Sequence, residues 1–267
     1  IMKTLICVLI TILAKCEAKN KTIDQLIYKG YGAEIHQYSF AAFLHLEATR
    51  PASCGASLIM VQAVVTAAYC VDVLRQKRGN IHAYFGATVP KDSQVIRRAV
   101  NYRASPKYNE ANGRNNIAIV FLDRRVPLRH EIKKIPLVAK DPPVGSFVFS
   151  AGWGKQKVNF KLPDFSKART LKVTKRRLIS RDECTKYAGY RLSTTTICST
   201  LVYRDDAGNG LIYKEPSHLL VGVLSFISND ITIYTSVLVS ITVHICKIKD
   251  QSINASGSRV PKPACNF

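Results

Sequence analysis

Chemistry near neutral pH needs a base, a nucleophile or a metal, so histidines and cysteines come first. The 6 histidines are His36, His45, His82, His130, His218 and His244. None lies beside Cys70, and side-chain packing accounts for them. Of the 8 cysteines, Cys7 and Cys16 fall in an N-terminal leader described below. Cys54, Cys70, Cys184, Cys198, Cys246 and Cys265 remain. No two are spaced C-x-x-C, which argues against a zinc centre, and no metal or cofactor is expected. An even set in a secreted chain implies disulfides, and the count alone leaves their pairing open.

The elements that must hold these residues read as strands. Short runs rich in Val, Ile, Phe and Tyr recur at 41–46, 58–68, 81–85, 117–122, 146–151, 219–227 and 231–243, with turn residues between them. Regular short strands of this kind point to an all-β sandwich or barrel. Residues 181–187 are polar and suit a short surface helix. Residues 237–248 fit a terminal helix or a strand. The chain has 267 residues with 47% hydrophobic composition, enough for a real core. Residues 1–18 read as a signal peptide: Lys3, then an apolar run over 5–14 too short to span a bilayer, then the small residue Ala18. No later run is long enough for a transmembrane segment. Residues 19–26 read as a short pro-segment and 249–267 as a tail. Asn20 and Asn254 each start a glycosylation sequon.

Cys54-Gly55-Ala56-Ser57-Leu58-Ile59, followed by Val64-Val65-Thr66-Ala67-Ala68-Tyr69-Cys70, resembles the CGGSLI…VLTAAHC block of trypsin-like serine proteases. Further pieces keep that family's order. Ile27-Tyr28-Lys29-Gly30 resembles the mature N-terminus. Asn116-Ile117-Ala118-Ile119-Val120-Phe121-Leu122 is similar to the DIALLxL strand, and Ala151-Gly152-Trp153-Gly154 to SGWG. Asp206-Ala207-Gly208-Asn209-Gly210-Leu211 is similar to DSGGPL, and Val223-Leu224-Ser225-Phe226 to the IVSW edge strand. The resemblance covers roughly 27–246, with the domain taken as 27–248. It implies two packed antiparallel six-stranded β-barrels, a short C-terminal helix being possible, with disulfides Cys54–Cys70 and Cys184–Cys198. Cys246 and Cys265 are then left for each other.

The same alignment of motifs implies lost catalysis. Acyl transfer on this fold uses a histidine base, an aspartate that orients it and a serine nucleophile. The matching residues here are Tyr69, Asn116 and Ala207. A phenol with an ordinary pKa near ~10 is a poor base at neutral pH, a neutral amide does not stabilise an imidazolium, and a methyl group attacks nothing. Asp205 falls at the oxyanion position, where its carboxylate would repel a developing negative charge. Leu201, Asp206, Ser225, Phe226 and Ile227 are the remnants of the substrate cleft. Ile227 stands where the family has a glycine, so the cleft is expected to be partly filled and apolar.

Lys plus Arg is 39 and Asp plus Glu 18, a formal net charge of +21. Such a chain attracts polyanions. Two functions follow. One is a secreted, non-catalytic protease homologue, of venom, salivary or immune type, that docks a protease, a protease substrate or an inhibitor. The other is a cationic protein that binds sulfated glycans or anionic membrane surfaces, with Lys172, Lys175, Arg176 and Arg177 as the densest exposed cluster. An active serine endopeptidase is a remote third reading, and no nucleic-acid partner is expected, since no recognition motif is present.

Overall fold

The computed structural model describes residues 30–47, 52–76, 79–154, 170–189, 192–200, 207–228 and 231–240. The expected leader, the sequons, Ile27, Leu201, Asp205, Asp206, Cys246 and Cys265 lie outside them.

The first barrel is built from β2 (Ala41–Glu47), β3 (Ala52–Met60), β4 (Ala63–Thr66), β5 (Asn80–Phe85), β6 (Val95–Ala104) and β7 (Ala118–Leu122). They close in the order β2-β3-β4-β7-β6-β5. Closure leaves no unpaired edge, and alternate side chains fill the inside. Leu44, Leu58, Ile81, Phe85, Val120 and Leu122 are buried there. The run over 58–68 divides into two strands because residues 61 and 62 turn the chain.

The second barrel comprises β8 (Phe147–Gly152), β9 (Lys172–Ile179), β10 (Thr196–Thr200), β11 (Gly210–Tyr213), β12 (Leu219–Ser228) and β13 (Ile231–Ser236). Here β9, β10, β13, β12, β11 and β8 follow one another, and β8 pairs back onto β9. The two-residue β1 (Tyr31–Gly32) adds to the outside of β9. The expected two six-stranded antiparallel barrels are therefore present.

Three short helices are described. α1 (Asp72–Arg75) follows a 3-10 turn at Ala68–Val71. α2 (Arg181–Ala188) is the polar surface helix read from the sequence. Ser180 caps it by accepting the Glu183 N–H at 3.1 Å, and Gly189, in the left-handed region at φ 71°, ends it. α3 (Val237–Ser240) shows that the described start of the C-terminal run is helical. Disulfides join Cys54 to Cys70 and Cys184 to Cys198. The first ties β3 to the turn after β4, and the second pins α2 onto β10 over Ile231 and Ile233.

The barrels meet with almost no space between backbones. The Gly55 N–H donates to the Ala207 carbonyl at 2.9 Å. The buried Asn209 side chain lies between Gly55 of β3 and Gly152 of β8, and a Cβ at either glycine would fall inside that side chain. At Gly152 the three nearest obstructing atoms all belong to the Asn209 side chain, whereas at Gly55 the Asn209 backbone nitrogen, 2.9 Å away, obstructs too. Gly152→Ala should thus lower stability by about 1–3 kcal/mol through overpacking, and an Asn209→Gly background should remove most of that cost. Gly55→Ala should stay destabilising in the same background. Urea denaturation of the three single and two double variants measures both couplings.

Candidate functional site

Tyr69, Asn116 and Ala207 come from three separate segments and meet where the barrels join. Tyr69 lies in the 3-10 turn behind β4, held by the Cys54–Cys70 bridge. Asn116 lies two residues before β7 and is buried. Its Oδ1 accepts the Tyr69 backbone N–H at 2.9 Å, and its Nδ2 donates to the Ser225 carbonyl at 3.5 Å. The Ala207 carbonyl, besides accepting from Gly55, lies 3.7 Å from the Cys70 sulfur. One amide side chain therefore joins the turn of one barrel to the edge of β12 in the other.

The Tyr69 phenol is 54% exposed and projects outward. Nearby, Tyr108 is pushed up to about 12, first by burial and then by the Asp72 and Glu110 carboxylates, with Tyr69 a smaller contributor. Burial also raises Asp72, against the opposing pull of Arg75, whose Nε is 3.0 Å from its carboxylate. These groups are a phenol, an amide and paired charges. At this junction there is no imidazole, carboxylate–imidazole pair or serine hydroxyl among Tyr69, Asn116 and Ala207. The described histidines sit elsewhere: His36 stacks on His130, His45 faces His82 across β2 and β5, and His218 stacks on Tyr38.

The β12 edge beside the junction is covered by the loop before Asn116. The Ser225 hydroxyl donates to the Gly113 carbonyl at 3.0 Å. The Phe226 ring lies so close to Gly113 that a Cβ there would be 2.9 Å from it. The Thr195 hydroxyl donates to Asn115 Oδ1 at 2.8 Å, and Asn115 adopts the left-handed conformation at φ 53°. Ser225 is buried, while Phe226 and Ile227 remain half-buried. Gly113, Asn115 and Tyr108 were not singled out from the sequence. Their importance arises from contacts far along the chain, for which no local spacing exists.

The family model for Trypsin matches residues 27–245. This chain belongs to the trypsin family. Trypsin alpha of Drosophila erecta is 26% identical over 195 residues, covering 70% of this chain and 73% of that protein. A venom serine protease of Polistes dominula is 27% identical over 219 residues, covering 75% and 76%. The crystal structure of a scabies mite inactivated protease paralogue superposes with TM-score 0.68 at 23% identity, covering 81% of this chain and 94% of that one. The last likeness concerns the trypsin-family fold.

The cationic run on β9 needs a correction. Lys175 and Arg177 are exposed, and Lys172 is half-buried, but Arg176 is 1% exposed. Strand alternation turns Thr174, Arg176 and Leu178 to one face, and here that face is the barrel interior. Arg176 Nε donates to Thr174 Oγ1 at 3.0 Å, and Nη1 to Thr232 Oγ1 at 2.6 Å. It is a structural residue and takes no part in polyanion contact. Lys175 lies 3.9 Å over the Phe147 ring. Arg176→Ala should cost roughly 3–5 kcal/mol, a loss expected on emptying a buried, hydrogen-bonded site. Lys175→Ala and Arg177→Ala should stay within about 0.5 kcal/mol of the parent, as surface changes do. Denaturant midpoints of the three variants test the contrast.

Proposed function

We propose that this member of the trypsin family is a secreted, non-catalytic homologue that works by docking another protein, a protease, a protease substrate or an inhibitor, in a proteolytic or immune cascade. The observation that carries this reading is the meeting of Tyr69, Asn116 and Ala207 at the barrel junction. They correspond by motif to the base, the orienting acid and the nucleophile of active relatives. In such a triad the groups act as a unit, so loss of one already removes most of the rate. Here Asn116 serves as a strut: its oxygen takes a backbone N–H, and its nitrogen reaches the Ser225 carbonyl. The junction keeps the framework of a protease cleft, and at Tyr69, Asn116 and Ala207 it has no histidine base, orienting carboxylate or serine nucleophile.

Further support comes from the filled edge of β12, where Ser225 and Phe226 engage the Gly113 loop. The fold neighbour described as an inactivated protease paralogue is a precedent for this architecture without activity in another protein. Two disulfides suit an oxidising, extracellular setting, and among the described residues no helix is long and apolar enough to cross a membrane. A second reading, a ligand of sulfated glycans or anionic membranes, draws on the net charge of +21 and on the exposed Lys175 and Arg177.

The purified protein should release product from peptide and ester substrates no faster than buffer, and a serine-directed phosphonate should leave its mass unchanged. Tyr69→His or Ala207→Ser alone should restore nothing. Adding Asn116→Asp to both should still give a poor enzyme, because Asp205 and Ile227 persist. Stoichiometric phosphonate labelling of the unaltered protein would overturn the reading.

A further inference from the structure

The outer face of β6 carries an arrangement that neither the protease framework nor the junction uses. Along this strand Ile96, Arg98 and Val100 are exposed while Val95 and Ala99 are buried. Ile96 is 39% and Val100 54% exposed. The second value has a local cause. Pairing with β7 shifts register between Ala99 and Asn101, so Val100 has no partner opposite it. A bulge of this kind re-aims its side chain outward. The face thus presents apolar, cationic and apolar side chains in a row, each pair about 7 Å apart along an extended strand.

More arginines gather around that row. β7 is followed by Asp123, Arg124 and Arg125, all exposed. Arg97 binds this segment to β6: its Nε donates to the Arg125 carbonyl at 3.0 Å. Arg97 and Arg124 are close enough to repel each other. Opposite charge is sparse. The Asp123 carboxylate accepts the Arg98 backbone N–H at 3.2 Å. Glu47 lies 3.0 Å from His82, the residue opposite Arg98 on β5. Arg98 therefore sits within the exposed row, and Arg97 tethers the neighbouring segment from the other face of β6. That segment, which pairs with the Arg98 backbone through Asp123, carries the exposed Arg124 and Arg125, while the two carboxylates named are already engaged.

We infer that the β6 face, with Ile96, Arg98 and Val100 flanked by Arg124 and Arg125, docks an extended acidic protein segment that carries apolar side chains on either side of a carboxylate. Charge alone would suit any polyanion. The interleaved Ile96 and Val100 favour a polypeptide, because a sulfated polysaccharide or a phosphodiester chain has no aliphatic groups to cover them. The inference rests on the protein-docking reading above and supplies the chemistry of the partner.

The test uses fluorescence anisotropy with the full-length protein and two labelled peptides of equal charge, Leu-Ser-Glu-Ser-Leu-Glu-Glu and Ser-Ser-Glu-Ser-Ser-Glu-Glu. The leucine peptide should bind more tightly, and Arg98→Glu/Arg124→Glu/Arg125→Glu should weaken it about tenfold or more through lost and reversed charge pairs. Ile96→Ser/Val100→Ser should weaken the leucine peptide about threefold through lost apolar burial and leave the serine peptide unchanged. Lys175→Glu/Arg177→Glu on β9 should stay within about twofold, an effect of net charge alone. If the triple reversal unfolds, Arg124→Gln/Arg125→Gln, which lies off the strand, must still weaken binding.

Equal binding of the two peptides, or equal losses from the β6 and β9 variants, would overturn the inference. So would a heparin oligosaccharide that needs the same arginines and outbinds the leucine peptide, which would mark a glycan surface. Phosphonate labelling separates the two claims. A labelled protein that still shows the β6 pattern defeats the non-catalytic reading alone, and an unlabelled protein without the pattern defeats this inference alone.

Discussion

The near contact of two backbones at the barrel junction governs much of this structure. Gly55 donates its N–H to the Ala207 carbonyl, and Thr66 Oγ1 donates to the Gly55 carbonyl at 2.7 Å. Gly208, at φ 90°, passes so close to that carbonyl that no side chain fits there. Asn209 then fills the space between Gly55 and Gly152. The approach is tight enough that Tyr69, Asn116 and Ser225 fall within hydrogen-bonding reach of one another's segments. A wider junction would take the Ser225 carbonyl away from the buried Asn116 Nδ2, at a cost of about 1–3 kcal/mol.

A second joint supports the first. The Trp153 indole donates to the Thr88 carbonyl at 2.9 Å and meets the Phe43 ring edge-on, 5.7 Å between centroids. The same carbonyl accepts the Leu171 N–H, and the Thr88 hydroxyl bonds Glu34 Oε2 at 2.8 Å. A residue following β8 is thereby anchored on the loop after β5. The two joints lie at different places on the same interface, so the barrels are fixed against rotation as well as separation. That rigidity suits a docking surface, where side chains held in place in advance lose less freedom on binding.

The two barrels solve burial differently. The first encloses aliphatic and aromatic side chains. The second encloses Arg176 with Thr174 and Thr232, and Ser199 and Thr232 are fully buried. Its apolar residues Ile231 and Ile233 face outward beneath α2 and the Cys184–Cys198 bridge. A charged interior is tolerated only when its hydrogen bonds are supplied by neighbours, which the threonine hydroxyls do. The surface charge that remains is distributed accordingly, with Lys175 and Arg177 on one barrel and the arginines of β6 and the β7–β8 connection on the other.

The strands within 41–46, 58–68, 81–85, 117–122, 146–151 and 219–227 and the surface helix read at 181–187 were legible in the sequence, because each depends on residue types within a short stretch. By contrast, β6, β9, β10 and β11 were not among the runs read as strands, and the pairing of Cys54 with Cys70 was legible only through the family resemblance. The identities of Tyr69, Asn116 and Ala207 were legible through motifs that surround each of them. Their contacts were not: Tyr69 and Asn116 are 47 residues apart, and Asn116 and Ser225 are 109 apart. The inside of the second barrel was also hidden. Lys175, Arg176 and Arg177 look alike as a run of cations, and alternation says only that the middle one faces away from the other two. Which face becomes the interior is set by how six strands close and by what the opposing strand offers. Thr232, 56 residues away from Arg176, is what makes a buried guanidinium possible there.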